Sequence, residues 1–154
     1  DLLKENFMAT CSVMIKNVNN IKYPYWYYNC HLGDYPLFIM HAKDGKIGYI
    51  DEFMSVYRIH KGGIWSTKMD GNLLENLNNG IKLYEYINEY LDYKYDKLIK
   101  ERIYELSITL KQKYIKINDI ENINRVNYYL SQNYNFWYYF SKRIRDLIIR
   151  LNKV

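Results

Sequence analysis

The chain is poor in the residues that break helices and in those that most often carry chemistry: its 154 residues include two Pro, seven Gly, two Cys and three His. Cys11 and Cys30 form no CxxC pair and no repeated spacing, which excludes a disulfide framework and favours a reducing, cytosolic setting. Together with His31, His41 and His60 they match no closed zinc site. No run approaches the roughly 18 consecutive apolar residues of a transmembrane helix. The N-terminus also lacks the basic region and apolar stretch of a secretion signal. There is no GxxxxGKS/T loop, GxGxxG fingerprint, HExxH helix or GxSxG elbow, so common nucleotide, zinc-protease and serine-hydrolase readings lose their main support. Charge of one sign is scarce too. Lys and Arg number 22 against 17 Asp and Glu, a net of +5, and acids are interspersed with bases throughout, which argues against a nucleic-acid partner.

What is present is globular in balance, 49% hydrophobic and 25% charged. Nineteen Tyr against five Phe is a skew, and Ile, Lys, Asn and Tyr make up 71 of the 154 residues. That mix is expected of a low-GC coding sequence, so no single Tyr or Asn is taken as chosen for function. Distribution says more than totals. Both Pro, all three His and five of the seven Gly precede Ser66, which divides the chain into residues 1–66 and a breaker-poor region 67–154. Asp1 stands where an initiator Met would, and an apolar run begins within the first ten residues; the chain is expected to be a segment of a longer protein.

Residues 8–15 are small, β-branched or apolar before the polar turn 16–20, which predicts a buried strand. An aromatic loop follows at Tyr23–Tyr28, where Trp26 is a possible start for a short helix. Asp34 at an N-cap and Pro36 inside the first turn predict a helix of about ten residues, closed by Asp44 and Gly45. Residues 46–51 and 54–58 alternate like two short strands, ahead of a glycine-bearing loop at 60–66. From Met69 the period becomes helical. Leu73, Leu77, Ile81, Tyr84, Ile87 and Leu91 share one face. Leu98, Arg102, Leu106 and Leu110 form another, with Ile99, Ile103 and Tyr114 beside it. A break is expected near Asp92–Lys94. Asn118 and Glu121 resemble a capping box for a third helix running to about Gln132, and a fourth helix is expected from Asn135. The predicted fold class is therefore α+β, a partial sheet with one helix followed by three to four helices.

Two constellations suit chemistry. In Gly33-Asp34-Tyr35-Pro36-Leu37 the glycine permits a sharp entry, and helix N–H groups favour an ionised carboxylate at Asp34. Such a group can act as a general base or serve only as a cap. In Tyr57-Arg58-Ile59-His60-Lys61-Gly62-Gly63-Ile64-Trp65-Ser66, Arg58 and Lys61 suit a diphosphate and a neutral His60 suits a divalent metal. Basic residues beside glycine also simply decorate turns.

Taken with Asn6–Ile15 and with Gly45–Asp51, these blocks resemble, in order and spacing, the C-terminal half of a family 2 glycosyltransferase of GT-A fold. The resemblance covers residues 5–66, with 67–154 as a helical C-terminal region. It implies that residues 1–66 are the acceptor-side, catalytic half of a Rossmann-like domain whose nucleotide-binding half precedes them. It implies an inverting transfer from a nucleotide-sugar donor to a polysaccharide, glycoconjugate or glycolipid acceptor, with Asp34 as catalytic base. His60 would be a ligand of Mn²⁺ or Mg²⁺, completed by a DxD motif that this sequence does not contain. Arg58 and Lys61 would lie near the donor diphosphate, Trp65 on a loop closing over it, and Thr10, Cys11 and Ser12 along the acceptor side. Without its nucleotide-binding half the chain is expected to be inactive and to hold no metal.

An alternative from another class is a non-catalytic helical interaction module keeping an enzyme remnant. Lys142, Arg143, Arg145, Arg150 and Lys153, following the aromatic run 136–140, suit peripheral contact with the inner face of a membrane, while core packing and helix-dipole complementarity explain the same residues. An exposed half-sheet edge would also invite pairing of two copies as a homodimer.

Overall fold

The structure is a computed structural model and describes residues 1–17, 21–63 and 73–135. It contains four α-helices among the described residues: α1 Asp34–Ala42, α2 Leu73–Tyr90, α3 Asp96–Lys116 and α4 Ile120–Asn133. Two 3₁₀ turns, Thr10–Ser12 and Tyr25–Asn29, precede α1. Trp65, the expected fourth long helix and the basic cluster 142–153 lie outside the described residues.

No strand forms among the described residues, which overturns the expected α+β class and its partial GT-A sheet. The predicted strand at 8–15 is extended backbone interrupted by the Thr10–Ser12 turn. The predicted strands 46–51 and 54–58 are a single stretch with no ladder, and every residue from 43 to 62 is exposed. The physical reason is that alternation specifies an extended chain with one apolar face, whereas a strand also needs a neighbour to accept its N–H and C=O groups. Among the described residues no neighbour is present. Met14, Phe53 and Val56 consequently leave their side chains almost wholly in water.

Helices, whose hydrogen bonds are local, formed where the pattern put them. The chain divides into two compact units, Asp1–Leu106 and a second from Ser107 onward. The core of the first takes Leu2, then Phe38, Ile39 and Met40 of α1, Leu77, Leu83, Tyr84 and Ile87 of α2, and Ile99 and Ile103 of α3. On α3 the most buried stripe is Ile99, Ile103, Ser107, Leu110 and Tyr114, whereas Leu98, Arg102 and Leu106 are half-buried. The expected face is thus turned by about one residue, or roughly 100°, and a serine sits on its midline.

The turn after α2 is built without glycine. Asp92 and Tyr93 adopt left-handed φ values of 52° and 58°, and their N–H groups donate to the carbonyls of Glu89 and Asn88, both at 2.9 Å. This is the reciprocal pattern that closes a helix C-terminus. The Asn88 side chain then donates to Asp96 at 2.9 Å, and Lys100 pairs with the same carboxylate at 2.8 Å. Burial alone pushes Asp96 up, but the hydrogen bonds from Lys100 and Asn88 outweigh it and leave the carboxyl below its usual range. Just past α1, the Lys43 ammonium donates to the Tyr90 carbonyl at 3.1 Å and lies 4.6 Å from the Tyr90 ring centre, favourable charge at the C-terminal end of α2.

The junction of α3 and α4 corrects the predicted cap by one residue. Asn118 is left-handed, with φ 56°, and ends α3 in the same reciprocal manner, while Asp119 caps α4 by accepting the Asn122 N–H at 3.1 Å. Those bonds from Asn122 hold the Asp119 carboxyl below its usual range. Asn tolerates the left-handed region better than other non-glycine residues, and so it takes the stop position and leaves the cap to the acid. Glu121 pairs instead with Arg125 at 2.8 Å.

Candidate functional site

Residues Tyr23–Asp34 carry the chain into α1. Rings of Tyr23 and Tyr27 stack at 5.0 Å, and the Tyr27 hydroxyl donates to the Gly33 carbonyl at 3.2 Å, so the aromatic loop folds back on the entry to the helix. Gly33 is the residue before α1 and Asp34 its first residue. Asp34 therefore does not cap the helix as predicted but lies one position inside it. Its carboxylate accepts the Tyr35 N–H at 2.8 Å through Oδ1 and the Thr10 hydroxyl at 2.5 Å through Oδ2. A carboxylate offers about four lone-pair positions, so two such bonds leave room for a further hydroxyl.

The Thr10 contact spans 24 residues of chain and joins the residue expected on the acceptor side to the expected base. Ser12 is turned away, its hydroxyl donating to the Ala9 carbonyl at 2.8 Å; Cys11 is exposed. Burial pushes the Cys30 thiol up, which favours an inert thiol. Arg58, His60 and Lys61 stay on the exposed stretch, where the Gly63 N–H donates to the His60 carbonyl at 2.9 Å and closes a turn. Among the described residues no three His, Cys, Asp or Glu side chains gather as metal donors, so His60 by itself does not make a metal site.

Beneath Asp34 lies a buried relay that the pattern of the sequence did not reveal. The Tyr35 hydroxyl donates to the Leu2 carbonyl at 3.0 Å and lies 3.0 Å from the Tyr84 hydroxyl. Because Tyr35 has one proton and gives it to Leu2, Tyr84 must donate to Tyr35. Arg102 can only donate, and it hydrogen-bonds Tyr84. The order is thus Arg102 to Tyr84 to Tyr35 to the Leu2 carbonyl, and Arg102 also meets Glu105 at 2.8 Å. Burial first, and the Tyr84 hydroxyl next, push the Tyr35 hydroxyl well above the ordinary tyrosine range. The relay ties the N-terminal segment, α1, α2 and α3 together one residue away from Asp34. Its only sequence signal was Tyr35 following Asp34 on a helix that buries one side, masked by the abundance of Tyr in the chain.

Compared with family models, curated proteins and solved structures, the chain finds no match in any of the three.

Proposed function

We propose that the chain is a fragment of an inverting glycosyltransferase in which residues 1–66 belong to the acceptor-side half, with Asp34 as the base. The observation that carries this reading is the Thr10 hydroxyl resting on the Asp34 carboxylate at 2.5 Å. It is a hydroxyl donor seated on a half-buried acid at the start of a helix, the arrangement that an acceptor sugar hydroxyl needs before it is deprotonated. In the reaction that hydroxyl gives its proton to Asp34, its oxygen forms a bond to the anomeric carbon of the donor, and the bond from that carbon to the diphosphate oxygen breaks. Attack opposite the leaving group inverts the centre. Thr10 serves as a stand-in for, and then a neighbour of, the acceptor hydroxyl.

The exposed apolar stretch 44–60 supports the same reading. Ile47, Tyr49, Ile50, Phe53, Met54, Val56, Tyr57 and Ile59 all lie in water. Such a segment requires a covering partner, here the nucleotide-binding half of the catalytic domain. Arg58 and Lys61 at its end are then available for the donor diphosphate and His60 for one position on a divalent ion. Among the described residues no cluster of three metal donors forms around it.

The test is made in the parent protein joined to its nucleotide-binding half. Asp34→Asn is expected to abolish transfer while donor affinity stays within about twofold, because the base acts on the acceptor alone. Substantial transfer by that variant refutes Asp34 as base.

A further inference from the structure

A groove of about 670 Å³ lies between the Tyr25–Asn29 turn and α2, within the first compact unit. Its volume is in the range of small-ligand sites. Each side contributes aromatic rings. The Trp26 indole is parallel to the Tyr86 ring, with centres 5.5 Å apart and planes 5° apart, and Tyr90 meets Trp26 edge-on at 6.3 Å. Tyr25, at the mouth, is 85% exposed. Asn29 and Asn79 line the groove, and their carboxamides, each with two donors and an acceptor, take no partner among the described residues.

We propose that this groove binds a neutral oligosaccharide. A sugar ring presents a flat apolar face of C–H groups and a rim of hydroxyls, so it suits a site lined by both aromatic rings and amide or carboxylate groups. The groove offers both. A nucleoside diphosphate is disfavoured, since Glu75 and Glu89 outnumber Lys82 in the lining and the local charge repels an anion. A purely apolar ligand would leave the carboxamides of Asn29 and Asn79 dehydrated without a partner.

His31 and Leu32, also in the lining, lie two to three residues before Asp34 on the same chain. The groove is therefore placed to hold sugar units of an acceptor whose terminal hydroxyl reaches Asp34. That placement rests on the reading of Asp34 as base; the binding does not.

The experiment titrates the 154-residue chain with chitotetraose, cellotetraose and maltotetraose, by calorimetry and tryptophan fluorescence, with UDP as the anionic control. At least one saccharide is expected to bind with a dissociation constant at or below about 10 mM. Trp26→Ala is expected to weaken that binding about tenfold. Asn79→Ala, at a half-buried position of α2 where alanine suits the helix, is expected to weaken it about fivefold and serves as the readout if Trp26→Ala fails to fold. Absence of binding by all three saccharides, binding unchanged in the folded variants, or UDP binding in their place overturns the proposal. No donor is present and nothing turns over in this assay. Its failure is therefore a separate result from retained transfer in the Asp34→Asn parent.

Discussion

The direction of the relay beneath Asp34 makes an asymmetric prediction for two substitutions that remove the same atom. Tyr35→Phe strands two buried groups: the Leu2 carbonyl loses its donor, and the Tyr84 hydroxyl loses its acceptor. Each unsatisfied buried group costs about 1–3 kcal/mol, but the carbonyl lies near the N-terminus, where the chain can shift toward water. A loss of about 2 kcal/mol is expected. Tyr84→Phe strands less. Tyr35 still donates to Leu2, and Arg102, whose side chain is 36% exposed, keeps Glu105 and gains water, so about 1 kcal/mol is expected. In the double variant the stranded Tyr84 proton is gone, leaving a cost of about 2 kcal/mol and a coupling of about 1 kcal/mol relative to additivity. Urea unfolding of the whole chain, followed by far-ultraviolet circular dichroism and tryptophan fluorescence, measures all three, with unchanged slopes required for the comparison. A greater cost for Tyr84→Phe than for Tyr35→Phe reverses the proton order. Additive single effects refute the relay altogether.

Two further outcomes follow from the same structure. Because burial raises the Tyr35 hydroxyl above the ordinary tyrosine value of about 10, its contribution is intact below that pH and declines above it. There the unfolded chain releases a proton that the folded chain retains. The urea midpoint should therefore fall between about pH 9 and about pH 11 less steeply in Tyr35→Phe than in the parent chain, and equal slopes would count against the assignment. At the turn after α2, Tyr93 is a bulky residue held at φ 58° and 61% exposed. Tyr93→Gly should relieve the left-handed penalty and raise stability by about 0.5–1 kcal/mol, and a destabilised variant in the same urea assay would show that the ring contributes packing that outweighs its backbone strain.

The sequence by itself determined the four helices of the described residues, including α1 from Asp34 with Pro36 in its first turn, the break near Asp92, and the start of α4 to within one residue. Each of these rests on hydrogen bonds between residues a few positions apart, and on periods that one segment carries alone. Even there, fine choices were settled by neighbours. Asn118 or Asp119 could cap α4, and the need for a left-handed stop after α3 decided it; Ile99, Ile103 and Ser107 rather than Leu98, Arg102 and Leu106 came to lie inside. Tertiary structure alone decided the rest. The alternating residues 46–58 encode an extended apolar face, but pairing requires a second strand, and in this chain the face remains in water. The meeting of Thr10 with Asp34, the proton order through Tyr84 and Tyr35, and the aromatic groove against α2 join residues tens of positions apart. No local pattern specifies such contacts, and a composition rich in Tyr and Asn hid the side chains that make them.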